Sequence, residues 1–427
     1  MERVIISETI KYLDKKVKVS GWVNSRRDHG KIVFLDLRDR TGILQIVCTP
    51  DSVQKVNEEW VLEVEGVIRE RPSKMVNPEI ETGRIELSAE SIKILAKTDP
   101  LPFDLRDLKV TLPTLLDFRP ITLRNEKIQN IFKVQETIME RFHLAAKNLG
   151  CTEIFVPTIS ASATEGGAEV FKIDYYGRDA YLVQSPQLYK QMMVPVFERV
   201  SAVSHAYRAE PSVTTRHLSE IIQMDCEFGF VDFAELLNLL EFTGKAIVKS
   251  NVKVPRLTLK EAQEIIFQET GRDVRKEKDL GPEDEADICR WAQKKHNSDL
   301  MIITHFPTKE RAFYTMPDPK NSEFSLSYDL LYKGMEICSG SQRINDYDQL
   351  VKTIKDRKMD PKKFEMYLQA FKYGMPPEGG FSFGLERITK QILGLENVRE
   401  ASLFPRDMER VDQRLSLLQP KKHVKKH

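Results

Sequence analysis

The sequence is poor in the features that mark secreted, membrane-spanning or metal-cluster proteins. Its 427 residues include only five cysteines, and no two of them form a CxxC pair. An odd number of scattered cysteines supports neither a disulfide framework nor a zinc knuckle, so we expect a reducing, cytoplasmic compartment. No hydrophobic run approaches the length of a bilayer-spanning helix, and the charged N-terminus lacks a signal-peptide pattern. We therefore expect no membrane partner.

An excess of charge of either sign is also missing, since 65 basic and 64 acidic residues leave a formal net charge of +1. A near-neutral protein neither requires nor excludes a nucleic-acid partner, because a local basic groove can carry the salt-dependent affinity. The 41% of hydrophobic and 30% of charged residues are typical of a globular protein. The length suffices for two or three domains.

The first hundred residues are predicted to form short strands. Val17, Val19, Gly21 and Val23 alternate with Lys18, Ser20, Trp22 and Asn24, and the period of two continues over Lys31–Arg38. An apolar run follows at 43–47, and further strand-like segments follow at 60–67 and 84–87. About five short strands in about 95 residues indicate a small Greek-key barrel such as the OB-fold, a frequent holder of oligonucleotides.

The remainder combines helices with strands, so the predicted fold class is α+β. Residues 104–122 contain prolines without periodicity and are predicted to be a hinge or linker between domains at 1–103 and 123–427. A helix is predicted over 126–149, where apolar residues recur at helical spacing before Gly150. The charged, helix-rich segment 233–300 contains no chemistry that its sequence identifies.

The strongest chemical signal is a predicted hairpin between His205 and Phe230. On its strands Arg208 shares a face with Glu210, and Gln223 shares a face with Asp225 and Glu227; the connecting loop adds Arg216 and His217. A sheet face that carries these cations and carboxylates suits a polyphosphate at one end and an ammonium-bearing substrate at the other. A solvated polar sheet face is the alternative for a hairpin seen alone.

Two further units carry polar residues. Asp329 and Glu336 could hold Mg²⁺ through oxygens while phosphates complete the shell, although spacing alone favours ordinary surface acids. The segment Gly379–Arg387 is rich in glycine, which permits close backbone approach to a ligand, and Arg387 would project from the first turn of the following helix. Neither unit is specific by itself.

These three units, in this order, resemble motifs two and three of the class II aminoacyl-tRNA synthetases. The helix at 126–149 followed by Glu153–Pro157 resembles motif one, whose proline lies at the dimer interface in that family, so the resemblance implies a homodimer. It also implies an antiparallel catalytic sheet flanked by helices. Within the class, the segments that resemble aspartate-specific members are 163–168, 184–190, 335–343 and 404–407.

The resemblance implies ATP-dependent activation of L-aspartate and its transfer to the 3′ end of tRNA(Asp), with tRNA(Asn) left open as a second acceptor. It implies catalytic roles for Arg208 and Arg387. The implied ATP-binding residues are Arg208, Glu210, Arg216, His217, Leu218, Glu336, Gly384, Leu385, Glu386 and Arg387. The implied aspartate-binding residues are Glu165, Gln187, Lys190, Arg208, Gln223, Asp225, Ser339 and Arg343. The implied Mg²⁺ ligands are Asp329, Glu336 and Ser339.

Lys190 and Arg343 supply a physical argument for aspartate. Two cations in one small pocket match the side-chain carboxylate, and Arg343 can bind it bidentately. Asparagine would leave both cations unpaired in a dry site, and lysine would add a third positive charge. An asparaginyl or lysyl synthetase is therefore disfavoured.

The N-terminal barrel also resembles the anticodon-binding barrel of these synthetases, which implies tRNA and not DNA as the nucleic acid. The implied anticodon residues are Asn24, Arg27, Phe34 and Gln45. A stacked base on Phe34 would contribute ~1–3 kcal/mol. Asn24 and the loop Arg71–Lys74 are candidates for discriminating tRNA(Asp) from tRNA(Asn).

Two departures from the family pattern and two alternatives remain. Ile221 stands where many relatives place an adenine-stacking Phe, and the segment between Glu227 and Asp329 is too short for the large inserted domain of bacterial aspartyl enzymes. A catalytically silent paralogue that binds RNA is one alternative, although Arg208 and Arg387 are present. A pathway enzyme that makes asparagine on this scaffold is the other, and the anticodon-type barrel speaks against it.

Overall fold

The computed structural model describes residues 1–53, 56–161, 169–210 and 214–418. The chain forms two compact units, Met1–Leu108 and Lys109–His427. The division between them lies inside the segment predicted to be a linker, while the limits 1–103, 104–122 and 123–427 stay a prediction. None of the helices in the described ranges has the length and apolarity that crossing a lipid bilayer requires.

The first unit is a closed five-stranded barrel, which confirms the OB-fold prediction. Its strands are β1 (Lys16–His29), β2 (Ile32–Asp39), β3 (Gly42–Cys48), β4 (Val61–Glu70) and β5 (Ile85–Ala96), and their order around the barrel is β1-β2-β3-β5-β4. Alternate residues of β2 are fully buried, namely Val33, Leu35 and Leu37. The alternation seen in the sequence therefore separates the barrel core from an outer polar face.

Gly21 in β1 is required by a close approach between strands. A Cβ atom at this position would lie 2.3 Å from the backbone oxygen of Arg38 on β2. Any larger residue would push β1 and β2 apart, so the glycine in the predicted strand permits tight closure of the barrel.

The second unit contains both strands and α-helices. The strands are β6 (Thr152–Glu153), β7 (Ile159–Ser160), β8 (Lys172–Tyr175), β9 (Arg178–Leu182), β10 (Arg199–Tyr207), β11 (Glu220–Gly229), β12 (Arg256–Thr258), β13 (Leu300–Thr304), β14 (Pro317–Asp318), β15 (Asn321–Ser325), β16 (Ser327–Tyr332), β17 (Met335–Gln342) and β18 (Glu378–Gly384). The α-helices are α1 (Leu112–Asp117), α2 (Arg119–Thr122), α3 (Glu126–Asn148), α4 (Gln187–Met192), α5 (Val194–Phe197), α6 (Phe233–Val248), α7 (Leu259–Thr270), α8 (Pro282–His296), α9 (Tyr347–Asp356), α10 (Glu365–Lys372) and α11 (Leu385–Leu393). Short 3-10 helices occur in both units at Ile6–Tyr12, Pro50–Val53, Ser73–Met75, Thr308–Glu310, Pro361–Phe364, Val398–Ala401 and Leu415–Leu417.

An eight-stranded sheet organises the second unit, with the order β12-β13-β16-β17-β18-β11-β10-β6. Its six central strands are antiparallel, as predicted, while the end pairs β12–β13 and β10–β6 are parallel. A three-stranded sheet, β7-β9-β8, and a pair, β14-β15, lie apart from it. The class II type of sheet flanked by helices is confirmed, with mixed ends that the sequence did not reveal.

The two faces of this sheet differ in polarity. Met224, Cys226 and Phe228 of β11 and Phe381 and Phe383 of β18 belong to one apolar core with residues of α3, α6 and α11. The residues that alternate with them on these strands are mostly polar and point to the opposite face. The sheet therefore buries one side against helices and presents the other as the floor of a site.

Helix α3 begins and ends close to the predicted limits. The side chain of Asn125 accepts a hydrogen bond from the backbone N–H of Ile128 and caps the first turn. Gly150 follows the helix with a φ of 78°, a left-handed conformation that glycine adopts without strain. Ile138 and Phe142 bury one face of α3 in the apolar core.

Candidate active site

A cavity of about 400 Å³ lies on the polar face of the sheet in the second unit. Residues of β11, β17 and β18 contribute to its floor, and α4, α11 and the segment 214–218 contribute to its walls. The predicted site residues that line it are Gln187, Lys190, Arg208, Arg216, His217, Leu218, Gln223, Asp225, Glu336, Ser339, Arg343, Gly384, Glu386 and Arg387. Segments far apart in sequence thus meet in one place.

Three predicted site residues are placed differently, and a fourth, Glu165, lies outside the described residues. Leu385, the first residue of α11, packs into the apolar core beneath the sheet. Glu210 and Asp329 are not among the described residues that line the cavity. Their predicted roles in binding ATP, aspartate and Mg²⁺ stay predictions.

Lys190 and Arg343 converge at the deep end of the cavity, where both contact Glu227. Lys190 Nζ lies 3.1 Å from Glu227 Oε2 and donates to Asp225 Oδ1 at 2.8 Å. Arg343 Nε donates to Glu227 Oε1 at 2.7 Å. All four side chains are almost fully buried. The two predicted cations therefore meet on a carboxylate that the sequence analysis left without a role.

Burial and pairing oppose each other in this cluster. Burial alone would lower the pKa of Lys190, but Asp225 and Glu227 outweigh it and raise that pKa. Burial would raise the pKa of Glu227, but Arg343 and Lys190 outweigh it and lower that pKa. Both effects keep Lys190 and Glu227 ionised as an ion pair, whereas burial raises the pKa of Asp225 and is only partly opposed by Lys190.

Two buried amide atoms at the same end have no hydrogen-bond partner in the part of the chain that the structure describes. They are Gln187 Nε2, a donor, and Gln223 Oε1, an acceptor. A buried polar group without a partner is costly, so such atoms mark positions where a ligand completes the hydrogen bonding. A donor and an acceptor beside Asp225 suit a small zwitterion that carries both an ammonium group and carboxylates.

The opposite end of the cavity is rich in arginine. Arg387 Nη1 donates to Glu336 Oε2 at 3.2 Å, and Arg208 lines the same cavity. Arg216 donates to the backbone oxygen of Gly334 at 2.9 Å and forms an ion pair with Glu285 on α8. Several guanidinium groups around one space match the charge and geometry of a polyphosphate.

The predicted Mg²⁺ ligands lie beside the guanidinium group of Arg311. Arg311 donates from Nη1 and Nη2 to the two oxygens of Asp329, at 3.2 and 2.7 Å, and from Nη1 to Ser339 Oγ at 3.4 Å. Burial, opposed by Arg311 and reinforced by Glu336, raises the pKa of Asp329 to about 6. Within the described ranges no group of three or more His, Cys, Asp or Glu residues could hold a metal. The oxygen donors Asp329, Glu336 and Ser339 nevertheless suit Mg²⁺ when phosphates supply the remaining ligands.

Glu386 connects helix α11 to strand β11. Its carboxylate oxygens accept the backbone N–H of Ile222 at 3.1 and 3.2 Å. Burial raises the pKa of Glu386 to about 7. Ile221, the neighbour of Ile222, lines the cavity. Glu386 therefore holds in place the part of β11 that presents an aliphatic side chain to the ligand.

In the first unit, three of the four predicted anticodon residues form one group. Arg27 Nη2 donates to Asp36 Oδ1 at 3.0 Å and to Gln45 Oε1 at 3.2 Å, and Arg27 lies opposite Phe34 in the β1–β2 register. Gln45 Nε2 in turn donates to Glu86 at 2.8 Å. Asn24 is held separately, since its side-chain oxygen accepts a hydrogen bond from Arg38 at 2.8 Å. The outer barrel face thus offers an aromatic ring beside a guanidinium.

Sequence reasoning missed four charged residues around the cavity. Glu227 was visible, because it alternates with Gln223 and Asp225, but its partners were not. Arg311 and Glu378 stand outside any pattern that identified them. Glu285 lies in the segment 233–300, to which no chemistry was assigned, although its ion pair with Arg216 brings it to the site.

Comparison with protein families finds two matching models. Residues 111–408 match the model described as "tRNA synthetases class II (D, K and N)". Residues 17–95 match an OB-fold nucleic acid binding domain. The two matches fall in the second and first structural units, respectively.

Individual relatives cover nearly the whole chain. The sequence is 37% identical to an aspartate–tRNA(Asp/Asn) ligase of Deinococcus radiodurans, over 96% of this chain and 99% of that protein. It is 38% identical to an aspartate–tRNA(Asp) ligase of Picrophilus torridus, over 93% of this chain and 97% of that protein. Its structure is similar to that of asparaginyl-tRNA synthetase from Pyrococcus horikoshii complexed with asparaginyl-adenylate, with a TM-score of 0.87, 29% identity and coverage of 96% and 99%.

Proposed function

Because this chain belongs to the class II tRNA synthetases for aspartate, lysine and asparagine, we propose that it is an aspartate–tRNA ligase. The ligase joins L-aspartate to the 3′ end of tRNA(Asp) in two steps, through aspartyl-adenylate. The names of relatives that span the whole chain support aspartate as the amino acid. The observation that carries the proposal is the pair of buried cations, Lys190 and Arg343, at the closed end of the cavity.

Aspartate fits this end of the cavity by charge and by hydrogen bonding. Its ammonium group would meet Asp225 and the unpaired oxygen of Gln223, while its carboxylates would meet Gln187 Nε2 and the cations. Glu165, predicted to contact the ammonium, would complete this set. Hydrogen bonds to charged groups in a dry site are stronger than neutral ones, so the zwitterion gains more here than a neutral ligand.

Activation proceeds by in-line attack of the aspartate α-carboxylate on the α-phosphate of ATP, with pyrophosphate as the leaving group. A carboxylate is already nucleophilic, so no general base is required, and positioning with charge neutralisation carries the catalysis. Arg208 would bind the α-phosphate, Arg387 the γ-phosphate, and Arg216 with His217 the outer phosphates. The terminal ribose hydroxyl of tRNA then attacks the mixed anhydride.

The remaining predicted ATP contacts follow the same arrangement. Glu210 would accept from the adenine amine, and Gly384 and Leu218 would lie along the nucleotide. Leu385 contributes through its backbone, because its side chain is in the core. Asp329, Glu336 and Ser339 would hold Mg²⁺, which would neutralise phosphate charge. Arg311 must release Asp329 if that carboxylate binds the metal directly.

Asparagine is the second candidate for the amino acid. Lys190 and Arg343 are already paired with Asp225 and Glu227, so a neutral amide would not leave them without partners as the sequence alone suggested. The structural similarity to an asparaginyl-tRNA synthetase also supports asparagine as a candidate. The silent RNA-binding paralogue is disfavoured, because Arg208, Arg387 and Glu336 line one cavity.

The barrel would bind the tRNA anticodon. The central base would stack on Phe34 and hydrogen-bond to Gln45, and Arg27 would support this contact. Asn24 lies beside this group in sequence and would help to read a neighbouring base. The relatives act on tRNA(Asp) or on both tRNA(Asp) and tRNA(Asn), so both acceptors are open. Charging of tRNA would take place in the cytoplasm.

We also propose a homodimer. Phe155, in the segment that resembles motif one, is 91% exposed, and Leu144 of α3 is 60% exposed. Exposed large apolar side chains on neighbouring segments suit an interface with a second copy. Light scattering at micromolar concentration tests this: a mass near that of one 49.3 kDa chain would contradict it.

One pair of assays tests the function. ATP–pyrophosphate exchange with aspartate, asparagine or lysine identifies the activated amino acid, and aspartate should support the highest kcat/KM. Charging of purified tRNA(Asp) and tRNA(Asn) then identifies the acceptor. Exchange that prefers asparagine, or no exchange with any of the three, would refute the proposal.

A further inference from the structure

A third carboxyl group, that of Glu378, lies beneath the two cations. Glu378 is the first residue of β18 and is fully buried. Its Oε1 accepts a hydrogen bond of 2.6 Å from Gln191 Nε2. Its buried Oε2 meets no hydrogen-bond donor among the described residues, and its carboxyl group lies against that of Glu227. Gln191 is held in turn by the hydroxyl of Tyr367, which donates to Gln191 Oε1 at 3.0 Å.

Two carboxyl groups in contact in a site without water cannot both be ionised, so the Glu378–Glu227 pair shares a proton. Burial raises the pKa of Glu378 well above its ordinary value, the charge of Glu227 raises it further, and Arg343 only partly opposes them. Glu227 instead has a lowered pKa, because Arg343 and Lys190 outweigh its burial. Glu378 is therefore the protonated partner, and its hydroxyl donates to the Glu227 carboxylate. The phenol of Tyr367 also faces Glu378, and it is neutral because burial, reinforced by Glu378, raises its pKa well above the ordinary value.

The charge of the cluster follows from this assignment. Lys190 and Arg343 contribute two positive charges and face the carboxyl groups of Asp225 and Glu227; burial, opposed by Lys190, raises the pKa of Asp225. An ionised Glu378 would add a third carboxylate to a site without water, next to the position that an acidic substrate must enter. The hydrogen bond from Glu378 also reduces the negative charge density on Glu227. Lys190 and Arg343 therefore attract a substrate carboxylate more strongly.

The missing side chain of Gly380 provides the space that the carboxylate of Glu227 occupies. A Cβ atom on Gly380, which faces Glu227 across the β11–β18 pair, would lie 2.3 Å from Glu227 Oε2. Neither Glu227 nor Glu378 is among the described residues that line the cavity. The pair therefore acts on a ligand only through Lys190 and Arg343.

We propose that Glu378 is a positioning residue for amino-acid selection: by donating a hydrogen bond to Glu227 it fixes that carboxylate between Lys190 and Arg343, and it keeps the cluster able to accept an acidic side chain. This inference rests on the proposed aspartate specificity and deepens it. It concerns a residue that touches neither ATP nor the reacting atoms.

Two replacements of nearly equal size separate the hydrogen bond from simple packing. Glu378→Gln can still accept from Gln191 and donate to Glu227, whereas Glu378→Met fills the space but does neither. In ATP–pyrophosphate exchange we expect Glu378→Met to raise KM for aspartate by about tenfold or more, and Glu378→Gln to stay within about threefold of the wild type. KM for ATP should change by less than about twofold in both variants.

A graded variant and a folding check complete the experiment. Tyr367→Phe removes only the far end of the hydrogen-bond chain and should give a smaller rise in KM for aspartate than Glu378→Met. Near-ultraviolet circular dichroism verifies that each variant is folded. If Glu378→Met does not fold, the test is the comparison of Glu378→Gln with Tyr367→Phe. An unchanged KM for aspartate in Tyr367→Phe then overturns the inference.

Three results overturn the inference in the folded variants. They are an unchanged KM for aspartate in Glu378→Met, equal damage in the Gln and Met variants, and a parallel rise in KM for ATP. A wild-type enzyme that prefers asparagine in the same assay refutes the proposed function itself, and the selection of an acidic side chain falls with it. A normal wild-type preference for aspartate with any of the three results above refutes the role of Glu378 alone.

Discussion

Arg311 holds both carboxylate oxygens of Asp329, at 3.2 and 2.7 Å, and its guanidinium lies 3.7 Å over the ring of Phe306. Asp329 is buried and Arg311 is mostly buried. Arg311 therefore provides the positive charge that the predicted Mg²⁺ ligand would otherwise lack, and the metal and the arginine compete for the same oxygens.

Replacing Arg311 with Gln should make the folded protein depend on Mg²⁺. The change leaves Asp329 buried without a cation, which costs about 3–5 kcal/mol of unfolding free energy in metal-free buffer. Added Mg²⁺ should recover part of this loss in Arg311→Gln and change the wild type little. Thermal unfolding with EDTA or with Mg²⁺ measures both effects. Arg357→Gln is the control, because Arg357 donates to the backbone of Thr308 and not to a carboxylate; equal responses to Mg²⁺ in all three proteins would contradict the prediction.

Replacing Lys190 with Met should damage both stability and aspartate activation. Asp225 and Glu227 would lose their shared cation in a dry site, at a cost of about 3–5 kcal/mol. In ATP–pyrophosphate exchange we expect kcat/KM for aspartate to fall about a hundredfold or more. Binding of tRNA, measured by filter retention, should stay near normal.

Lys172→Met is the matched control for that variant. Lys172 pairs with Asp179 at 2.6 Å, but both side chains are more than half exposed. Exposed ion pairs contribute about 0–1 kcal/mol, so this variant should unfold and activate aspartate much as the wild type does. Wild-type exchange in Lys190→Met would show that the buried lysine does not serve the substrate.

Replacing Glu386 with Gln should flatten the dependence of stability on pH. The pKa of Glu386 is raised by burial from an ordinary 4.5 to about 7. A carboxyl with a raised folded-state pKa contributes stability that is fully present below pH 4.5 and is lost as pH rises towards 7 and above. The lost contribution is at most about 3 kcal/mol.

Urea unfolding from pH 5 to pH 8 measures this effect as the difference between Glu386→Gln and the wild type. Gln still accepts the backbone N–H of Ile222, so the hydrogen bond is retained while the ionisation is removed. The variant should gain stability relative to the wild type as pH rises. A difference that is constant with pH would show that Glu386 does not titrate in this range.

Replacing Phe34 with Ala should weaken tRNA charging without affecting amino-acid activation. Loss of one base–aromatic stack costs about 1–3 kcal/mol, which we expect as a rise in KM for tRNA. ATP–pyrophosphate exchange in the absence of tRNA should be unchanged. Ile10→Ala is the control, because Ile10 is a 43% exposed apolar residue of the same unit outside the predicted group. A similar rise in KM for tRNA in both variants would argue against a specific stack.

Local patterns predicted much of the fold. The alternation over β1 and β2 and the helical spacing over α3 are properties of neighbouring residues, and the structure confirms the elements they indicate. The parallel pairings at the two ends of the large sheet were not predicted. They join β12 to β13 and β10 to β6, and no local signal specifies which strands become neighbours.

The sequence alone therefore determined the barrel, the polar face of the hairpin and the family to which the chain belongs, because these depend on the order and spacing of residues along short segments. Only the tertiary structure decided which charges pair. Gln191 and Glu378 are 187 positions apart, and Arg343 and Glu227 are 116 apart. Whether a buried lysine or carboxyl is ionised depends on the groups brought against it from distant segments, and that information exists only after the sheet has assembled.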